Sequence, residues 1–128
     1  MLKVFLPSLF SALFLFTTPI LADPPDCAKN NEIEIGACLQ EAAKKADRIM
    51  NETYNKKMSQ LGNESKDRLR KAQRAWIVFR DMSCHYEADV AKGGSMEGEL
   101  WQLCLEKMTK QRSKELEEYI SCTENGCP

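Results

Sequence analysis

"IGACLQEAAKKADRIMNETYNKKMSQLGN", residues 35–63, sets the fold class. Ile35, Leu39, Ala42, Ala46, Ile49, Met50, Tyr54, Met58 and Leu61 recur within it at steps of three and four. That spacing is one face of a long amphipathic helix; Lys44, Lys45, Arg48, Glu52, Lys56 and Lys57 fall mostly on the other sides. Gly62-Asn63 closes the run, with Gly62 as a left-handed cap and Asn63 or Ser65 as the cap of the next helix. The second stripe is Leu69, Ala72, Trp76, Phe79 or Arg80, Cys84 and Ala88, stopped by Gly93-Gly94. Ser95 caps a third helix that carries Met96, Leu100, Leu103, Cys104, Met108, Leu116, Tyr119 and Ile120. No alternating run is long enough for a strand. Three helices of similar length, each roughly 40 Å long, joined by short turns, pack most economically as an antiparallel three-helix bundle.

The ends read differently. Lys3 followed by the apolar "VFLPSLFSALFLF", Pro19 and a small residue at Ala22 has the layout of a secretory signal peptide over 1–22. The apolar run is too short for a membrane span, so no membrane insertion is expected after cleavage. Residues 23–128 then form a single domain, with an irregular leader at 23–32 and an irregular tail at 121–128. Losing Lys3 takes the basic residues from 18 to 17; set against 19 acidic ones, they leave a net charge of −2. A balance so near neutral argues against a dedicated nucleic-acid or membrane-surface binder.

All 6 cysteines lie beyond the cleavage point. Export puts them where disulfides persist, and the even count suggests full pairing. Cys122 and Cys127 are close in sequence and pair at one end of the bundle. Cys27, Cys38, Cys84 and Cys104 gather at the other end. Cys38–Cys104 with Cys27–Cys84 is favoured there, and Cys38–Cys84 with Cys27–Cys104 competes with it.

Catalytic readings are weak. His85 follows Cys84, and Asp81, His85 and Asp89 share an i, i+4, i+8 spacing that suits metal ligands or an acid–base pair. A solvated helix edge accounts for it more simply. Gly93-Gly94-Ser95 lacks the context of a phosphate loop. Lys66, Arg68, Arg70, Lys71 and Arg74 are interrupted by acids, as on an ordinary solvated face. No catalytic residue, metal ligand or cofactor is expected. In "AQRAWIVFRDMSC" (72–84), Trp76, Phe79 and Ile77 are expected to supply bulky core contacts. Arg80 lies on or beside the same face and bridges to an acid such as Glu41 or Glu106. Asp81 and Gln73 are expected to tie this helix to the leader.

That same stretch resembles the signature of the lysozyme-inhibitor LprI-type family of small secreted bacterial proteins. "ADRIMNETY" (46–54) is similar to a family motif, with Met50 where Leu is usual. "GGS" (93–95), "CL" (104–105), Thr109, Arg112, Leu116, Cys27 and Cys38 extend the likeness to about Leu116. Cys122 and Cys127 are additional to the usual four-cysteine pattern. The resemblance implies an all-helical, non-enzymatic protein of the bacterial periplasm or exterior and, for some members, a lysozyme as the protein partner. The runner-up is a non-catalytic accessory or immunity-type protein for another envelope partner. Gln73, Trp76, Phe79, Arg80 and Asp81 read as structural signature. The exposed turn Lys92, Gly93, Gly94 and Ser95 is the candidate partner contact: its glycines admit close backbone approach, and Lys92 and Ser95 can donate hydrogen bonds. The oligomeric state is left open.

Overall fold

The computed structural model describes Cys27 and residues 31–122. Three helices, α1 (Glu32–Ser59), α2 (Asn63–Ala88) and α3 (Met96–Ser121), form the expected antiparallel bundle, and a 3-10 turn at Asp89–Ala91 continues α2. Among the described residues there is no strand. The signal segment 1–22 and most of the leader and tail lie outside those residues. The leader expected over 23–32 ends sooner, because Asn31 caps α1 by accepting from the Glu34 N–H at 3.1 Å.

The two turns differ from one another. Gly62 has φ −73° and is the N-cap of α2, without a side-chain cap bond. It is therefore not the left-handed cap that its position suggested, and Asn63 and Ser65 lie inside the helix. The left-handed conformation occurs at Gly93, with φ 76°. A Cβ on neighbouring Gly94 would meet the Ala91 carbonyl oxygen at 3.1 Å. Each glycine is thus required for its own reason, one for φ and one for space.

α1 and α3 run parallel and make the closest backbone approach, α2 lies against α3, and α1 and α2 hardly approach each other. Small residues explain the first contact: Ala42, Ala43 and Ala46 are buried and let α3 close on α1. Lys57, expected on the solvent side, is buried near the end of α1 and donates to the Tyr119 carbonyl near the end of α3. Its stem lies along the bundle while its ammonium satisfies a last-turn carbonyl. Leu39, Met50, Cys84, Ala88, Cys104 and Leu116 complete the apolar core.

On α2 the inward face departs from the apolar stripe. Its buried residues are Gln73, Arg80, Cys84 and Ala88. Phe79 is 61% exposed, so the expectation of a core Phe79 is corrected: of the pair Phe79 or Arg80, the arginine points inward. Trp76 and Ile77 are only half-buried, and Ala72 faces solvent. The wide α1–α2 separation is the reason. Arg80, longer than phenylalanine, spans it to Asp47 at 2.7 Å, and Gln73 is met from α1 by the long Met50 side chain at 3.4 Å.

The disulfides are Cys27–Cys38 and Cys84–Cys104, with Cα–Cα distances of 5.8 and 5.4 Å. Both pairings weighed from the sequence are thereby corrected. Similar height along the bundle does not make two cysteines neighbours, because direction around the helix matters too. Cys84 and Cys104 are 0% and 4% exposed and meet across the α2–α3 hairpin. Cys38 is only half-buried, off the Leu39–Ala42–Ala46 stripe, and faces the preceding chain. Cys122 is also disulfide-bonded; Cys127 lies outside the described residues.

Candidate functional site

Two features follow from the signature region: an internal polar girdle and an external turn. In the girdle, Arg80 Nη1 donates to Asp47 Oδ1 of α1 at 2.7 Å and to Thr109 Oγ1 of α3 at 3.0 Å. Its Nε donates to Asp81 Oδ1 at 2.9 Å. Arg112 Nε donates to Gln73 Oε1 at 3.0 Å, and its Nη1 to Glu115 Oε2 at 2.9 Å. Gln73 Nε2 in turn points at Met50 Sδ, 3.4 Å away. Trp76 lies by both guanidinium groups, with its ring centroid 5.3 Å from Arg80 and 5.9 Å from Arg112.

Two side chains from each helix are thus locked together by directional contacts: Asp47 and Met50, Gln73 and Arg80, Thr109 and Arg112. Planar guanidinium groups suit this role because each combines a fork of donors with a face that stacks on indole. Arg80's acid partner is Asp47, not Glu41 or Glu106; those two pair with Lys44 and Lys110. The hydrogen bond from Lys44 holds the exposed Glu41 carboxyl below its usual range, and the attraction of the same ammonium adds to the effect. Asp81 and Gln73 are bound within the bundle by Arg80, Arg112 and Met50; most of the leader to which they were expected to tie lies outside the described residues.

The turn after the 3-10 segment is exposed at Lys92, Gly93, Gly94 and Ser95. The four residues adjoin one another, as their sequence adjacency requires. Glu97, one residue into α3, accepts from the Gly93 N–H at 2.8 Å, and Gly94 N–H donates to the Ala91 carbonyl at 2.9 Å. Lys92 pairs with Asp89 at 3.3 Å. Ser95 occupies the N-cap position of α3 but its hydroxyl makes no cap bond. That hydroxyl is not spent on the helix end. Below the turn, Cys84–Cys104 clamps α2 to α3, and Met108 Sδ lies 3.7 Å from Cys84 Sγ. A turn braced in this way loses little entropy when a partner meets it.

The i, i+4, i+8 acids and histidine do not converge. Asp81 is held by Arg80, Asp89 by Lys92, and His85 stacks on Trp101 with centroids 5.4 Å apart. Among the described residues there is no group of three or more His, Cys, Asp or Glu placed to hold a metal. Nor is any described helix long and apolar enough to cross a membrane. What composition did not reveal is an exposed apolar row on α2, Val78, Phe79, Met82 and Tyr86, continued by Val90 of the 3-10 turn. The signal was present as a second periodic stripe, but the richer assignment of Trp76 and Phe79 to the core obscured it.

The family described as Lysozyme inhibitor LprI matches residues 26–116. An uncharacterised protein of Rhizobium meliloti (strain 1021) is 33% identical over 131 residues, covering 90% of this chain and 94% of its own length. No solved structure matches the chain. The matched segment contains the whole girdle, the braced turn and the described disulfides.

Proposed function

Because this chain belongs to the lysozyme inhibitor LprI family, we propose that it is an exported protein that binds and inhibits lysozyme. Its site of action would be the bacterial periplasm or exterior, where it would protect the cell wall from muramidases. The observation carrying this reading is the family match across residues 26–116, which spans both hairpin turns and all three helices up to Leu116. The bonded cysteines agree with an oxidising compartment.

The contact we assign to lysozyme is the Lys92–Ser95 turn. A muramidase cleft is deep and carries acidic catalytic groups. A rigid convex partner suits it by offering a narrow protrusion with donors and little side-chain bulk. Gly93 and Gly94 supply the narrowness, and Lys92 and the uncommitted Ser95 hydroxyl supply the donors. The signature residues Gln73, Trp76, Arg80 and Asp81 act behind it as scaffold, engaged by buried and half-buried contacts within the bundle.

The test is the rate of cell-wall lysis by a panel of lysozymes with increasing amounts of the purified, oxidised protein. Saturable inhibition of at least one lysozyme supports the proposal. Undiminished lysis across the panel refutes it and favours an accessory or immunity-type role with another envelope protein.

A further inference from the structure

The two described bridges differ in what surrounds them. Cys84–Cys104 is buried between α2 and α3, and Met108 Sδ lies 3.7 and 3.9 Å from its two sulfurs. Cys27–Cys38 lies off the buried stripe of α1, and both of its cysteines are only half-buried. A disulfide is cleaved by a thiolate that approaches one sulfur along the S–S axis, so access sets the rate. A reductant reaches Cys27–Cys38 in the folded protein, but reaches Cys84–Cys104 only after α2 and α3 part.

The segment that Cys27–Cys38 holds has little else to hold it. From Glu34 to Cys38 no side chain of α1 is buried, and burial begins at Leu39. The Asn31 cap before this segment is an exposed hydrogen bond. Part of the segment faces α3 across a groove of about 460 Å³, with Gly36, Ala37 and Gln40 on one wall and Ser95, Gly98 and Gln102 on the other. Gly36 weakens the helix further. Its φ is not left-handed, and a Cβ there would meet nothing within 4 Å. Neither backbone nor packing calls for glycine at this position, and glycine inside a helix favours unwinding relative to alanine.

We propose that Cys27–Cys38 is a redox-sensitive latch that keeps the start of α1 helical. A dithiol reductant opens it in two steps. Its first thiolate attacks one bridge sulfur, giving a mixed disulfide and releasing the other cysteine; its second thiol then displaces the protein from that mixed disulfide. The two electrons and two protons of the dithiol end on Cys27 and Cys38 as thiols, and the reductant leaves as its own disulfide. Without the bridge, α1 unwinds back to Leu39, where the buried Leu39–Ala42–Ala46 stripe begins. The rest of the bundle keeps its girdle and Cys84–Cys104, so the change is local and is reversed by reoxidation. Unwinding removes the α1 wall of the groove that reaches Ser95. The oxidation state of the latch thereby sets the shape of the surface beside the Lys92–Ser95 turn, whichever partner that turn meets.

Timed alkylation and hydrogen exchange test the latch. The native protein is held with dithiothreitol at neutral pH, quenched at intervals with iodoacetamide and mapped by mass spectrometry. Cys27 and Cys38 should become alkylated together, at least about 100-fold faster than Cys84 and Cys104. Cys122, also bonded and exposed, is followed separately in the same maps. A protein carrying Cys27→Ser and Cys38→Ser removes the latch without reductant and leaves Cys84–Cys104 closed. Amide exchange over 34–38 should be about tenfold or more faster in it than in the oxidised parent, with 42–59 unchanged. Adding Gly36→Ala should slow that exchange several-fold, because alanine favours the helix and has room. Similar alkylation rates at the two bridges overturn the proposal. So does unchanged exchange over 34–38, exchange that rises throughout the bundle, or exchange that Gly36→Ala does not slow.

Discussion

Replacing Arg80 with alanine removes the contact that reaches all the way from α2 to both other helices. The Arg80 side chain is 9% exposed and its guanidinium bonds Asp47 at 2.7 Å, while Thr109, itself 1% exposed, receives a second bond at 3.0 Å. Breaking a buried ion pair typically costs about 3–5 kcal/mol. Here Asp47 and Asp81 are 47% and 45% exposed and regain water, which brings this part below that range, to about 2 kcal/mol. Losing the stack on Trp76 adds roughly 0.5–1 kcal/mol, and Thr109 left without its donor adds about 1. The expected total is therefore about 3–4 kcal/mol. Arg80→Lys keeps the charge and stem but has no planar fork, so it should lose about half of that. Urea unfolding of the non-reduced protein, followed by far-ultraviolet circular dichroism, measures both. For a domain of this size the alanine variant should melt on the order of 15–25 °C lower. A loss below about 1 kcal/mol, with an unchanged denaturant slope, would refute the view that the girdle holds α2 in place.

Trp76→Ala should cost about 3 kcal/mol, and inhibition should fall only with the folded fraction; abolished inhibition at unchanged melting would move the functional surface onto this cluster. Phe79→Ser, in contrast, should alter stability by no more than about 0.5 kcal/mol, because the ring has little to lose. Gly93→Ala is expected to cost about 1–2 kcal/mol through its left-handed backbone, read from the melting midpoint. Digestion without reduction should yield linked peptides for Cys27–Cys38 and Cys84–Cys104, and thiol titration of the unfolded protein should give close to zero. Removing Cys84–Cys104, by replacing both residues with alanine, should cost about 3 kcal/mol. The double change Lys92→Glu with Ser95→Asp should leave melting nearly unchanged, as Ser95 makes no cap bond and Lys92 only an exposed pair, while weakening inhibition several-fold.

Helix number, order and turns were legible because they rest on local signals: three- and four-residue spacing, and glycines at the breaks. The α2 interior was not, because hydrophobic periodicity treats arginine and glutamine as surface residues. Nothing local to Arg80 or Gln73 announces that α1 lies far enough away to require long polar side chains. Phe79 and Arg80 are adjacent and differ by one helical step, and only the α1–α2 gap decides between them. Cysteine pairing failed for a related reason. Distance along an axis can be counted in residues, but direction around it depends on how each helix is rotated by its neighbours. The Gly93–Gly94 turn was readable in position but not in backbone demand: the left-handed conformation was expected at Gly62 and occurs at Gly93, because how the chain leaves a helix depends on where the next helix packs.

Calorimetric titration of an inhibited lysozyme with the oxidised protein, with and without a saturating chitooligosaccharide in the enzyme's cleft, tests the central claim most directly. The account predicts saturable binding that the oligosaccharide abolishes and that the Lys92 and Ser95 substitutions weaken. Absence of heat, or binding undiminished by an occupied cleft, would contradict it.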